Sequence, residues 1–186
     1  MSGAAQRRYS LDDYWAIELA SPVRHEYIHG AVYAMAGGTP RHNEIAANVQ
    51  YALRRALDGT DCRPVGADQR IRVSEAEYTY ADVSVFRGRI EVAPSPPPDT
   101  ATNPVLIVEV LSDSTRAYDH GDKRELYRGL PSLRAIWLVE PEEVRVTVWT
   151  RTPDGWTSAT HTDDATPLPA LDHRVRLGEL YETTLT

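Results

Sequence analysis

A single cysteine, Cys62, rules out an internal disulfide framework and a thiolate metal cage, and it suits a reducing compartment such as the cytoplasm. Long apolar runs are absent too. Nothing approaches the roughly 20 residues of a membrane-spanning helix, and the opening MSGAAQRRYSLDDYW has no apolar signal core. A soluble, cytoplasmic, non-exported protein without a membrane partner is expected. Positive charge is not in excess either, with 27 acidic against 20 basic side chains and a net charge of −7. That balance excludes the broadly basic surface of a tight, non-specific nucleic-acid binder, so any contact with nucleic acid must be local or metal-assisted. Lysine is nearly missing: 19 of the 20 basic residues are arginine, and Lys123 is the exception. Also missing are a GxSxG elbow, a GxxxxGK phosphate loop, a GxGxxG turn after a strand and the HExxH spacing of a zinc site.

What is present suffices for one buried core: 41% of the 186 residues are hydrophobic, and a single domain over residues 1–186 is expected. Ser10 and Asp13 form a capping-box pattern, and Leu11, Trp15 and Leu19 extend it into a short helix that stops at Ser21-Pro22. Segments 25–28 and 31–35 flank His29-Gly30 as a hairpin. Thr39-Pro40 opens a second helix with Ile45, Val49, Leu53 and Leu57 as its core stripe, closed by Asp58-Gly59. Segments 62–73 and 78–86 read as β, and 93–104 is a proline-rich surface loop. The continuous apolar run 104–111 predicts the centre of the sheet, a strand covered on both faces. A helix over 119–128 ending at Gly129, a strand over 135–139 and a hairpin turning at Asp154-Gly155 complete the reading. The order predicts an α/β domain with a mixed central sheet flanked by helices and C-terminal antiparallel strands.

Glu109 interrupts the most apolar segment of the chain, where an ionised carboxylate loses several kcal/mol of solvation unless a metal or a donor lies opposite it. The competing reading is a strand-end acid paired with an arginine such as Arg116. Asp82 interrupts the neighbouring segment TYADVSVF, on a face that also carries Tyr80 and Ser84, or else it marks a solvated edge. Two such acids on adjacent strands can share one divalent cation through hard oxygen ligands. Lys123 lies one turn into the following helix and leans back toward the sheet end, where its ammonium can stabilise an attacking water; a solvated helix lysine is the alternative. A compact ammonium kept among arginines favours the first reading. Glu26, on the first hairpin, is a third acid or a surface residue. His42, three residues before the core position Ile45, faces the same site or serves the helix end. Cys62 is read as packing.

Together, HEYIHGAVYAMAGGTPRHNEIAANV, YADVSVF and NPVLIVEVLSDSTRAYDHGDKRELYRGLPSLRAIWLVEP resemble the Uma2 family of endonucleases, within the restriction-endonuclease-like PD-(D/E)XK superfamily, over about residues 10 to 150. The resemblance implies a restriction-endonuclease-like core and a Mg²⁺-dependent endonuclease, Mn²⁺ serving as substitute, that hydrolyses DNA, in duplex form. It maps the two superfamily acids to Asp82 and Glu109, an additional acid to Glu26, the helix-borne lysine to Lys123 and the histidine after the glycine pair to His42. The metal ligands implied are Asp82, Glu109, the Val110 carbonyl and Glu26. Two positions depart from the superfamily pattern: Ala81 replaces the proline before the aspartate, and Leu111 stands where a lysine usually follows the glutamate. Arg54, Arg55, Arg116 and Arg124 are candidates for phosphate contact. A homodimer suits double-strand cutting. Two further functions remain open at this point: a catalytically weak, nuclease-fold binding or regulatory module, and a metal-dependent hydrolase of a small phosphodiester.

Overall fold

The computed structural model describes residues 8–35, 37–94, 99–112, 116–164 and 168–182. Helix α1 (Leu11–Ala20) begins at the expected capping box: the Ser10 hydroxyl accepts from the Asp13 amide while the Asp13 carboxylate accepts from the Ser10 amide. Strands β1 (His25–Ile28) and β2 (Ala31–Ala34) form the hairpin, and His29 and Gly30 supply the two positive φ angles, 51° and 77°, that a tight turn of this hand requires. Helix α2 (Pro40–Ala56) starts where Thr39 Oγ1 accepts from the His42 amide, and it buries Ile45, Val49 and Leu53.

The two long β segments divide. Residues 62–73 give β3 (Cys62–Gly66) and β4 (Arg70–Ser74), and residues 78–86 give β5 (Glu77–Tyr80) and β6 (Val83–Arg87). In each case the chain leaves one sheet for the other. Strands β4 and β5 join a four-stranded sheet of order β2-β1-β5-β4, whereas β3 and β6 join a six-stranded sheet of order β10-β9-β8-β7-β6-β3. The apolar alternation changes phase at the crossing, from Tyr78 and Tyr80 to Ala81, Val83 and Val85. Asp82 therefore stands between two strands rather than inside one.

The apolar run forms β7 (Pro104–Val110), antiparallel to β6 and parallel to β8 (Ala135–Glu140), which makes the larger sheet mixed. Strands β9 (Arg145–Thr152) and β10 (Gly155–His161) add the C-terminal hairpin. Alternate residues of β7 serve two cores: Leu106, Val108 and Val110 pack toward α2, and Ile107 and Leu111 pack with Tyr127, Leu130 and Leu133 on the other face. The helix expected over 119–128 begins earlier and is not uniform. Helix α3 (Arg116–Tyr118) passes through a π-turn (Asp119–Lys123) into α4 (Arg124–Arg128), which stops at Gly129. Beyond β10 the chain adds the small hairpin β11 (Leu168–Ala170) and β12 (His173–Val175), then α5 (Leu177–Tyr181), whose Leu177 and Leu180 close the core around α2. Of the proline-rich loop, residues 95–98 lie outside the described residues; Ala101 forms bridges with Ile71 and Val92. No described helix is long and apolar enough to cross a membrane.

Candidate active site

The two sheets meet where the chain passes from β5 to β6, and the predicted site residues gather at that seam. Antiparallel pairing sets Tyr27 against Tyr78, which puts Glu26 opposite Thr79. Glu26 Oε1 accepts from the Thr79 hydroxyl and, at 3.1 Å, from the Tyr80 amide. On the larger sheet, the pairing of Val83 with Val108 continues toward Asp82 and Glu109 as neighbours. The π-turn carries Lys123 over both sheets.

Lys123 is buried, and its ammonium has three acceptors: the Tyr80 carbonyl at 3.0 Å, Glu26 Oε1 at 3.0 Å and Glu109 Oε1 at 3.1 Å. The contact with the Tyr80 carbonyl is a hydrogen bond, and the two with the carboxylates are ion pairs. Glu109 Oε1 also accepts from the Tyr127 hydroxyl at 2.6 Å. Burial pushes the Glu109 carboxyl well above the usual carboxylate range; Lys123 pulls it down, and the charges of Asp119 and Asp82 add to the rise. Burial also works against the Lys123 ammonium, but Glu109 first, then Tyr127, Glu26 and Asp119, hold its pKa well above the ordinary value. The Tyr127 phenol is held protonated by burial and by the Glu109 charge, so it remains a donor.

Asp82 and His42 form the adjoining pair. Asp82 Oδ2 accepts from the Val110 amide at 2.7 Å and lies 3.3 Å from His42 Nε2. The hydrogen bond with Asp82 raises the His42 pKa, with burial opposing it. His42 Nδ1 is buried without a hydrogen-bond partner, as is the Tyr118 hydroxyl. The Tyr118 phenol is held protonated by burial and by the charge of Glu26.

All five candidate side chains are thus placed at the seam, as two linked groups: Glu26, Glu109 and Lys123 in one, Asp82 and His42 in the other. The arginines are not brought to it together. Arg116 pairs with Glu140 rather than Glu109, Arg124 packs over the Trp149 ring, and Arg55 meets Glu179 near the far end of α2. Cys62 is buried in the core as packing. Tyr127, Thr79 and Tyr118 were not singled out in the sequence, and Tyr80 entered there only as a neighbour of Asp82 on its strand face. Tyr127 alone had a local signal there, its place four residues after Lys123 on one helix face.

Among the described residues no three His, Cys, Asp or Glu side chains are grouped to cage a metal ion. Magnesium does not need such a cage, because it is held by one or two carboxylates and keeps several waters. The donors fit that requirement. The hydrogen bonds of Glu109 and Glu26 fall on Oε1, and those of Asp82 on Oδ2, leaving Glu109 Oε2 and Asp82 Oδ1 without a donor among the described residues.

Residues 11–177 match the family Uma2, described as "Putative restriction endonuclease". The chain is 35% identical over 152 residues to an uncharacterised protein of Synechocystis sp., covering 80% of this chain and 77% of that one. A second uncharacterised Synechocystis protein is 29% identical over 135 residues, covering 69% and 72%. The fold matches the crystal structure of a "putative nuclease belonging to DUF820" from Anabaena variabilis with a TM-score of 0.74, at 17% identity, over 92% of this chain and 97% of that one.

Proposed function

Because the chain belongs to the Uma2 family, we propose that it is an endonuclease that hydrolyses DNA phosphodiester bonds with Mg²⁺, or with Mn²⁺ as substitute. The observation that carries this reading is the meeting of three buried charges, Glu26, Glu109 and Lys123, beside Asp82 at the seam of the sheets, with carboxylate oxygens left over. Asp82 and Glu109, with the Val110 carbonyl, are the groups to hold the metal. When bound, the metal supplies Lewis-acid polarisation of the scissile phosphate and acidifies water.

The chain's own residues prepare that site. The Val110 amide fixes Asp82 and the Tyr127 hydroxyl fixes Glu109, so neither carboxylate has to reorganise when substrate arrives. Lys123 holds a full positive charge in a buried setting, where it stabilises the negative charge that builds on a phosphate under attack. His42 is placed to hold or pass a proton beside Asp82. The substrate proposed is duplex DNA in a reducing cytoplasm, with two copies of the chain pairing to cut both strands. One observation favours the catalytically weak module instead: the Lys123 ammonium is already held between two carboxylates and a carbonyl, which compete for it with an attacking water.

Supercoiled plasmid and Mn²⁺ test the reading. Wild type is expected to nick or linearise the plasmid, and an Asp82→Ala, Glu109→Ala double variant to lose the activity. Cleavage that survives the double variant, or no cleavage by wild type with either metal, overturns it. Binding to duplex DNA should weaken steeply with salt; binding without salt dependence favours a small phosphodiester substrate.

A further inference from the structure

Lys123 Nζ bridges Glu26 Oε1 and Glu109 Oε1 at 3.0 and 3.1 Å. That bridging place, between two carboxylates of different sheets, is where a second cation would sit if the site held two. We propose that Lys123 is a built-in replacement for it: the protein binds a single divalent cation, on Asp82 and Glu109, and Glu26 is a ligand of the lysine rather than of the metal. The inference rests on the metal-dependent reading above.

Three features carry it. Glu26 Oε1 is already shared by the Thr79 hydroxyl, the Tyr80 amide and Lys123, so its charge is spent within the protein. Lys123 is itself fixed by a third contact, the Tyr80 carbonyl at 3.0 Å, at the end of the strand that also carries Thr79. It cannot swing aside for an incoming cation without stranding Glu26 and the Tyr80 carbonyl in a buried place. And a divalent ion entering between the glutamates would face an ammonium at contact distance, in surroundings where like charges repel far more strongly than in water. A guanidinium could not take this role, because its planar fork does not offer three converging donors at one point; this accounts for a lysine here in a chain otherwise furnished with arginine.

Counting bound Mn²⁺ by electron paramagnetic resonance of the free ion, on the intact protein, tests the inference apart from any cleavage. Wild type should bind one Mn²⁺, Glu26→Gln should still bind one with affinity within about threefold, and Glu109→Gln should bind none. Lys123→Met should bind two, with the dipolar broadening of neighbouring ions. Two ions on wild type, or loss of the ion in Glu26→Gln, overturns the single-cation inference and leaves the metal-dependent reading standing. No ion on wild type overturns both. Should Lys123→Met fail to fold, the wild-type and Glu26→Gln counts decide alone.

Discussion

Glu18 and Glu109 are both buried carboxylates beside a cation and a tyrosine hydroxyl, and the protein treats them differently. Glu18, on α1, has both oxygens in use: Oε1 accepts from the Tyr80 hydroxyl at 2.6 Å and from Arg70 at 2.8 Å, while Oε2 accepts from the His25 amide at 2.7 Å and lies 3.1 Å from His25 Nδ1. Although burial opposes it, the hydrogen bonds from Tyr80, Arg70 and His25 hold its pKa below the ordinary value. Glu109 shares one lysine with a second glutamate and has one oxygen without a donor, and its pKa is pushed up. Tyr80 touches both groups, through its hydroxyl to Glu18 and through its backbone to Glu26 and Lys123. A carboxylate whose oxygens are all claimed fastens one element to another. One that is left short of donors has bonding capacity for something else.

The sharpest break of this comparison is Lys123→Ala. It leaves two buried carboxylates without their cation, so the apo protein should lose about 3–5 kcal/mol in urea denaturation. Cleavage per folded molecule should fall by roughly 10². Undiminished cleavage would remove Lys123 from the catalytic set.

Next comes the pair Glu18→Ala and Glu109→Gln. Removing Glu18 leaves the half-buried Arg70, against Trp15 and Tyr80, without its acid, and should cost about 2–4 kcal/mol while leaving metal binding intact. Glu109→Gln keeps an oxygen for Tyr127 and leaves Glu26 to pair with Lys123, so its apo stability should stay within about 1 kcal/mol of wild type. Equal losses in the two variants would mean that both carboxylates are structural.

The smallest effect is in the pH dependence of the urea midpoint. Glu18 has a lowered folded pKa, so its contribution is present above the ordinary carboxylate value and is lost as pH falls through the lowered one. Glu109 has a raised folded pKa, so its contribution is present below the ordinary value and is lost as pH rises through the raised one. Glu18→Gln should therefore flatten the acid limb of the profile, and Glu109→Gln should remove a loss of stability on its neutral side. The reverse assignment would show that the two environments have been confused.

Much of this was legible because it is written locally. The capping box, the His29-Gly30 turn and the Thr39-Pro40 start depend on residues a few positions apart, and each formed as the sequence predicts. Glu109 and Asp82 stood out because an acid in an apolar stretch requires a partner. The partners themselves were less visible. Thr79 faces Glu26 only through the pairing of β1 with β5, about fifty residues apart, and neither strand states its register. The break at Ala81-Asp82 was marked by a change of apolar phase, from Tyr78 and Tyr80 to Val83 and Val85, that a single strand over 78–86 passes over. Position 111, where the resemblance would place a lysine, shares the strand face of Glu109 yet lies fully buried in the apolar cluster with Leu130 and Leu133.

The π-turn at Asp119–Lys123 was also invisible, because it is made of ordinary residues and differs from an α-helix only in how many residues make one turn. It lets this stretch hold one residue more than an even helix would. Five residues in this wide turn sweep nearly the angle that four sweep in an even α-helix, so the extra residue is absorbed without turning one end against the other. Tyr118 on one side, and Lys123 and Tyr127 on the other, thereby keep addressing the same group of carboxylates. A relative one residue shorter here, with an even helix in place of the wide turn, can present the same lysine and tyrosine, so relatives must be compared here by counting residues as well as by identifying them.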